Sequence, residues 1–563
     1  MKSATILNAL YIFTATVAAV SCGNCNTQHV SVKLPFGTII GRAGLTSETF
    51  NGIPYARPPV GPLRLKPPQA LDVKGIFNAT GQAKACPQLL VSAKNRQVLA
   101  DLDEKLLEFP FVQPVESSED CLTVSVQRPS GTKAGERLPV LFWIYGGGFQ
   151  SGSTNTYDPT SLLAAASAEG LPFIYVGVNY RVGAYGFLPG AEVLKDASTN
   201  LGWLDQRMAL QWVADNIAYF GGDPDKVTLW GESAGSISVL GQMMLYGGDA
   251  MYKGKPLFRA GIMNSGTILP ANPVNSTRAQ AVYDQVVNVA GCNSTGDTLP
   301  CLRRADYDKF HRAATSFESF LSYTGSSIPF LPRPDGKVLP DSPEVLISSG
   351  RYYAVPVIVG DQEDEGTLFS IFQNGMVSTD DKLVEYLSSV YFPDANQSQL
   401  AELVNAYPSK EAGSPFRTGN CSNLYPNYKR LAALVGDITF TLSRRIFLEM
   451  ATKSSPTVPI WSYLSSYLHK HNVLGTYHAS DLFQVFDGTP PSYATTSNRR
   501  YYLNFLYNLD PNKGGGGYST WPQWKDNRTL MWFKTQFENG YLNDNFRMNA
   551  QTVISRLGAA LRA

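Results

Sequence analysis

The chain has 563 residues, 44% of them hydrophobic, with 47 Lys+Arg against 46 Asp+Glu and a formal charge of +1. A balance that close to neutral excludes nucleic acid, or electrostatic anchoring to an anionic membrane, as the partner of this protein, and its hydrophobic fraction is ample for a large core. Composition is even, without repeat, low-complexity linker or long charge run, so one large domain is expected.

From the start, Met1 to Ser21 carries Lys2, an apolar run through Val20, and small residues Ala19 and Ser21 ahead of Cys22. That reads as a secretory signal, 1–21, which leaves a mature, exported chain of 22–563. No later stretch reads as a membrane span, so no transmembrane anchor is expected. Seven cysteines in an exported chain point to disulfides rather than metal, since the single C-x-x-C pair, Cys22 and Cys25, lies at the mature terminus and histidines number five. Cys292 and Cys301 are close enough to staple one loop. Cys86 and Cys121 would close a longer one, worth roughly 3 to 4 kcal/mol in the chain-entropy picture. Cys421 has no evident partner. Sequons at Asn78, Asn275, Asn293, Asn396, Asn420 and Asn527 fit a glycosylated, exported surface.

Val30 to Ile40 alternates around Pro35 and Gly37, which suits an antiparallel hairpin, and Phe50 to Pro68 is a proline-rich covering loop. In Val98 to Phe109, Leu99, Leu102 and Leu106 recur at helical spacing with acids between them, an amphipathic helix. A buried strand, Pro139 to Tyr145, ends in Gly146-Gly147-Gly148-Phe149, and a second runs from Pro172 to Val178. Leu204 to Phe220 places Met208, Trp212, Val213 and Ile217 on one helical face, and Gly221-Gly222 stops it. Lys226 to Trp230 then leads into Gly231-Glu232-Ser233-Ala234-Gly235 and an apolar-periodic run to Met244, which reads as strand, sharp turn, helix. With 49 glycines in the chain the pentapeptide alone is weak, and its flanks are what make it a nucleophile elbow. Glycines two positions before and after leave room for a strained serine, and the first amides of the next helix aim at the same point. Ser233 is the candidate nucleophile. Further buried strands are expected at Ala260 to Met263, Val355 to Val359 and Ile460 to Leu464. Short apolar strands alternating with helices give a mostly parallel sheet covered on both faces, whose ligands bind beyond the carboxyl ends of its strands.

Serine needs a base, and the histidines are His29, His311, His469, His471 and His478. The elbow order of serine, acid, histidine leaves the last four. His469 and His471 flank Lys470 in a polar patch and are expected to be solvated, whereas His478 lies in a loop before an apolar helix. For the acid, Val355 to Gly360 runs into Asp361, Glu363, Asp364 and Glu365, which spacing alone does not separate.

The set Trp143-Ile-Tyr-Gly-Gly-Gly-Phe149, Gly231-Glu-Ser-Ala-Gly235, Asp364-Glu365-Gly366 and Gly475-x-x-His478 resembles the type-B carboxylesterase and lipase family, in particular the secreted fungal Candida rugosa-type lipases and sterol esterases. The resemblance runs from about Val30 to the end and takes in Glu119-Asp-Cys121-Leu, Asn200-Leu-Gly and Asp205-Gln-Arg207. It implies an α/β-hydrolase fold, a large mostly parallel central sheet with helices on both faces and a disulfide-tethered flap. It also implies a triad of Ser233, Glu365 and His478 and an oxyanion hole of the Gly147, Gly148 and Ala234 amides. Ser265 and Glu232 stand behind the triad, Glu232 and Asp481 as buried hydrogen-bonded neighbours. Phe149, Leu368 and Phe369 border the acyl tunnel, and the disulfides are Cys86 to Cys121 and Cys292 to Cys301. The flap is the loop 86–121, rather polar for a lipid-facing element because of Asp101, Asp103, Glu104 and Lys105.

The expected activity is hydrolysis of hydrophobic carboxylic esters, acylglycerols or steryl esters, at a lipid–water interface. No metal or cofactor is needed, and the state expected is a monomer or a weak homodimer. The alternatives are a carboxylesterase for short-chain or aromatic, feruloyl-type esters, and a non-catalytic cholinesterase-like adhesion module.

Overall fold

A computed structural model describes residues 28–72, 74–407, 413–469 and 472–563. The signal 1–21, Cys22, Cys25, Lys470 and His471 fall outside the described residues.

A thirteen-stranded sheet runs through the protein. Its middle is built from the apolar runs read in the sequence: Leu138–Ile144, Ile174–Val178, Gly222–Glu232, Ala260–Asn264, Val357–Gln362 and Ile460–Ser465. Almost every residue in them is buried, which is what strands covered on both faces require. In space 138–144 lies between 174–178 and 222–232, and 260–264, 357–362, 460–465 and 529–533 follow outward, each parallel to its neighbour. Antiparallel pairs close both edges. One is His29–Leu34 with Gly37–Ala43, the hairpin expected around Pro35, and the other Thr529–Phe533 with Asn539–Asn543. The parallel set carries the carboxyl ends of its seven strands to one rim, and five of them lead off it at Gly146, Ser233, Ser265, Glu363 and Ser466.

Two boundaries differ from the sequence reading for physical reasons. The strand expected to stop at Val359 continues through Gly360, Asp361 and Gln362. A charged residue inside a buried strand is tolerated here because Arg444 Nε donates to Asp361 Oδ2 at 2.8 Å. Arg444 also reaches both oxygens of Asp544 at 2.9 and 3.0 Å, and Arg445 Nε donates to Asp544 Oδ1 at 2.8 Å. All four side chains are sealed from solvent.

The second difference lies between the cysteines of the Cys86–Cys121 disulfide. The single amphipathic helix expected over Val98 to Phe109 is two pieces, an α-helix at Ala93–Leu102 and a 3-10 turn at Glu104–Glu108. Asp103 is the break: its backbone is extended, and its carboxylate accepts from Lys105 N at 3.0 Å, so it caps the second piece instead of continuing the first. The helical leucine spacing survives in its effect, since Leu99 and Leu106 are buried in both pieces. The Cys292–Cys301 disulfide closes a short loop elsewhere, and Cys421 is unpaired and exposed.

Candidate active site

Ser233 sits between the strand 222–232 and the helix Ala234–Met244 with φ 57° and ψ −124°. Such a backbone costs about 1–3 kcal/mol in a non-glycine residue and persists only when the surroundings impose it. They do so by close approach. A Cβ on Gly231 would fall 2.3 Å from the Gly235 carbonyl, and one on Gly235 would fall 2.0 Å from Ile144 O. Ser233 N donates to Asn264 O at 2.9 Å and Ile237 N to Ser233 O at 2.9 Å, tying the turn to the next strand and to its own helix.

The glycine run after strand 138–144 folds against this turn. Gly147 and Gly148 have φ of 101° and 61°, and the Gln150 and Ser151 amides both donate to Gly147 O, at 3.0 and 3.1 Å. Gly148 and Ala234 face the same pocket as Ser233. The Ala234 amide opens its helix and so lies outside the helical ladder, where the positive dipole end favours negative charge.

His478 and Glu365 meet at the rim. His478 Nδ1 lies 2.5 Å from Glu365 Oε2, and Glu365 Oε1 accepts from Gln362 N at 2.7 Å. The imidazole is flanked by Phe440, at 4.5 Å between ring centres, and by Phe369 at 5.0 Å. Burial pushes the pKa of His478 down, against the pull of Asp481 and Asp361. Burial also pushes Glu365 up, with Ser265 and the Gln362 amide opposing it. Burial thus disfavours the charged form of each group, and the contact between them is what offsets that cost.

Glu232 departs from the sequence reading. It is fully buried, but its carboxyl has no hydrogen-bonded neighbour among the described residues; its one polar contact is His478 Nε2, 3.2 Å from Oε1. Burial, with Asp481 and Glu365 nearby, pushes its pKa well up, which favours the neutral carboxyl. Ser233 Oγ makes no hydrogen bond to His478, whose Nε2 faces Glu232. Asp481 is the buried, hydrogen-bonded neighbour expected, accepting from Asn264 Nδ2 at 2.8 Å and Tyr463 OH at 3.3 Å. Ser265 is fully buried with φ 56°, its amide bonded to Gly360 O at 2.8 Å.

The four acids that spacing left together are separated by their partners. Asp361 is held by Arg444 and Glu363 by Arg417, and Glu365 faces His478. Asp364 accepts from Ser414 Oγ at 2.7 Å, Phe416 N at 2.8 Å and Thr476 N at 3.0 Å, and lies 3.2 Å from His469 Nε2. His469 is therefore buried and not solvated, because it packs beside the Asp364 carboxylate, a contact that its polar sequence neighbourhood does not show. Glu363, Asp364 and His469 lie close enough to hold an ion, but Arg417 and the donors on Asp364 already occupy the carboxylates. Burial lowers the pKa of His469, and Asp364 and Glu363 outweigh it, so the net shift is upward from 6.5. A raised folded-state value stabilises fully below the unfolded value and is lost as pH rises through the folded one. His469→Gln is expected to lower Tm most at about pH 5.5, with the gap to the parent narrowing as pH climbs above about 6.5, as thermal unfolding across pH will read.

A small apolar pocket opens at Ser233. Phe149 and Phe369 line it, whereas Leu368 is buried behind it and does not. Ile237, Leu269, Phe320, Ile328 and Phe440 complete its apolar wall, and Ser326 and Thr439 add hydroxyls. Sequence reasoning missed these. Phe440 stands on a π-type turn, Asp437–Thr441, that no periodicity announces, and Phe320 and Ile328 lie in irregular chain. The segment 86–121 closes over this rim: Phe109 packs on Tyr477 and Phe483, Phe111 on Phe320, and Asn472 Nδ2 donates to Asp103 Oδ2 at 3.1 Å. All six sequon asparagines are exposed.

The family described as the carboxylesterase family matches residues 28–551. Over 94% of its length the chain is 55% identical to the secreted triacylglycerol lipase LIP1 of Gibberella zeae, covering 91% of that protein. It is 42% identical to lipase 4 of Diutina rugosa over 85% of this chain and 86% of that one. Among solved structures, Aspergillus niger EstA superposes with a TM-score of 0.80 at 25% identity, covering 95% of this chain and 99% of that one. No helix among the described residues is long and apolar enough to cross a membrane.

Proposed function

The chain belongs to the carboxylesterase family and is a carboxylic ester hydrolase of α/β-hydrolase fold, and from that premise we propose that it is a secreted lipase that cleaves acylglycerols through Ser233, His478 and Glu365. The observation that carries the reading is the apolar pocket opening at Ser233 between the glycine loop and Phe440, the ring that flanks His478. Secretion and the acylglycerol substrate rest on the relatives' names, since LIP1 of Gibberella zeae is a secreted triacylglycerol lipase.

In this reading Ser233 Oγ attacks the ester carbonyl while His478 Nε2, turning from Glu232, takes its proton. Glu365 holds Nδ1–H and stabilises the imidazolium. The Gly147, Gly148 and Ala234 amides bind the tetrahedral oxyanion, each such donor being worth roughly 3 to 4 kcal/mol of barrier. His478 then protonates the leaving alcohol, and water attacks the acyl-enzyme by the same route in reverse. The segment 86–121 serves as the flap. Its opening would uncover Phe109 and Phe111, and its surface acids Asp101 and Glu104 moderate its attraction to lipid.

A carboxylesterase for short or aromatic esters is the second reading, favoured by one observation: the hydroxyls of Ser326 and Thr439 line the pocket and bond to each other at 3.1 Å. Rates on p-nitrophenyl esters from acetate to palmitate, with emulsified triacylglycerol and a steryl ester, separate the two. Activity that rises with chain length and extends to emulsions is expected. A maximum at acetate or butyrate would overturn the lipase reading, and activity on the steryl ester would widen the alcohol range.

A further inference from the structure

Glu365 and His478 stand 113 residues apart in the chain, and each lies in a turn outside any helix or strand. One hydrogen bond between two turns does not hold an acid and a base at a fixed spacing, so something beside them must.

Asp364 supplies it. The residue is fully buried and directly precedes Glu365. Its amide donates to Thr476 O at 2.9 Å, and its Oδ2 accepts from Thr476 N at 3.0 Å, so one residue takes both backbone groups of the position two short of His478. Thr367 Oγ1 lies 2.8 Å from Asp364 O and 2.9 Å from Leu474 O, a single hydroxyl shared by the two turns. His469 Nε2 meets the same carboxylate at 3.2 Å, from the far end of the segment that leads to His478. Ser414 Oγ and Phe416 N, at 2.7 and 2.8 Å on Oδ1, tie the carboxylate to a third segment, so it does not follow the base turn when that turn shifts.

The approach is close enough to have selected a neighbour. Gly475 has φ 70°, and a Cβ there would fall 2.2 Å from Asp364 Oδ2. The glycine three positions before His478 and the aspartate before Glu365, letters of two separate motifs, are thus one contact.

We infer that Asp364 is the positioning residue of the triad: it locks the turn of His478 to the turn of Glu365 and acts on the reaction only through that spacing. The inference rests on the triad reading of Ser233, His478 and Glu365 and deepens it. Asp364 is not part of the pocket wall at Ser233, so loss of the lock leaves the bed of the substrate in place while Nδ1 of His478 drifts from Glu365. A misplacement of about 1 Å in such a pair costs on the order of 10²-fold in rate.

The test is Asp364→Asn in the full-length secreted protein, with p-nitrophenyl butyrate as substrate. Asparagine keeps the shape, but whichever way its amide turns, its NH₂ faces a backbone N–H, that of Thr476 or that of Phe416. The expected result is a fall in kcat of about thirtyfold or more with KM within about threefold of the parent. A kcat within about threefold of the parent overturns the inference. Because a loosened fold also lowers kcat, the same substitution is made in Glu365→Gln. A residue that acts only by spacing His478 from Glu365 has little left to do there, and a further loss of less than about threefold is expected. The full loss repeated in that background is what a merely structural role gives, and it overturns the inference. Thr367→Val keeps the volume and removes the hydroxyl shared by Asp364 O and Leu474 O, and it decides the matter if Asp364→Asn is not secreted. About a fivefold fall in kcat is expected in the parent and none in Glu365→Gln; no fall in the parent, or the same fall in both, overturns the inference. A Glu365→Gln protein as active as the parent fails earlier, at the triad reading itself, and takes the inference with it.

Discussion

Ser233→Ala is expected to lower kcat on p-nitrophenyl butyrate by about 10⁵ to 10⁶-fold, with Tm within a few degrees of the parent. The backbone at 233 is imposed from outside, by Gly231 against Gly235 and by the Ser233 amide on Asn264 O, so alanine inherits the same turn. Only the attacking oxygen is lost. His478→Ala should cost about as much, and the double variant little more, because either removal leaves the oxyanion amides and the pocket as the only source of acceleration. Steady-state rates of the three variants on one ester decide it; a Ser233→Ala protein within tenfold of the parent would place the chemistry elsewhere.

Glu365→Gln should lower kcat by about 10³ to 10⁴-fold while leaving KM nearly unchanged. The size follows from one contact. Gln362 N donates to Oε1, so the carbonyl of the new glutamine takes that position and its NH₂ is turned toward Nδ1 of His478. A donor there selects the tautomer with its proton on Nε2, which has no lone pair left to receive the serine proton. Glu365→Asp keeps the right tautomer and loses a methylene of reach, so it should fall well short of that loss. Measuring both isolates the tautomer from mere distance.

Much of the sheet was legible in the sequence because doubly covered strands are apolar on both faces; Leu138–Ile144, Ile174–Val178 and Ala260–Asn264 stand within two residues of the expected runs. The glycine loop and the elbow were legible for a different reason: close backbone approach excludes side chains, and glycine records that exclusion letter by letter. What local pattern did not show is long-range. Asp361 looks like the end of a strand until Arg444, 83 residues on, is brought beside it. His469 looks solvated until the Asp364 carboxylate packs beside it, and Glu232 gives no hint that its buried carboxyl faces Nε2 of His478 rather than a donor. Asp103 deceives more simply, looking like one more polar position on a helix, where its short side chain competes with the helix for the backbone.

The Arg444, Arg445 and Asp544 cluster bears on when in the life of the chain the rim can form. A polypeptide made from its amino end has Ser233 and the glycine loop early, but Asp361 has no guanidinium until residue 444, and that guanidinium has no second carboxylate until residue 544. Leaving one member of a buried ion network unpaired costs about 3–5 kcal/mol. The strand that delivers Glu365 thus gains its seat only once residue 544 has been made. Fragments ending before Asp544 carry Ser233 without the seat of the Glu365 strand, and are expected to show no ester hydrolysis.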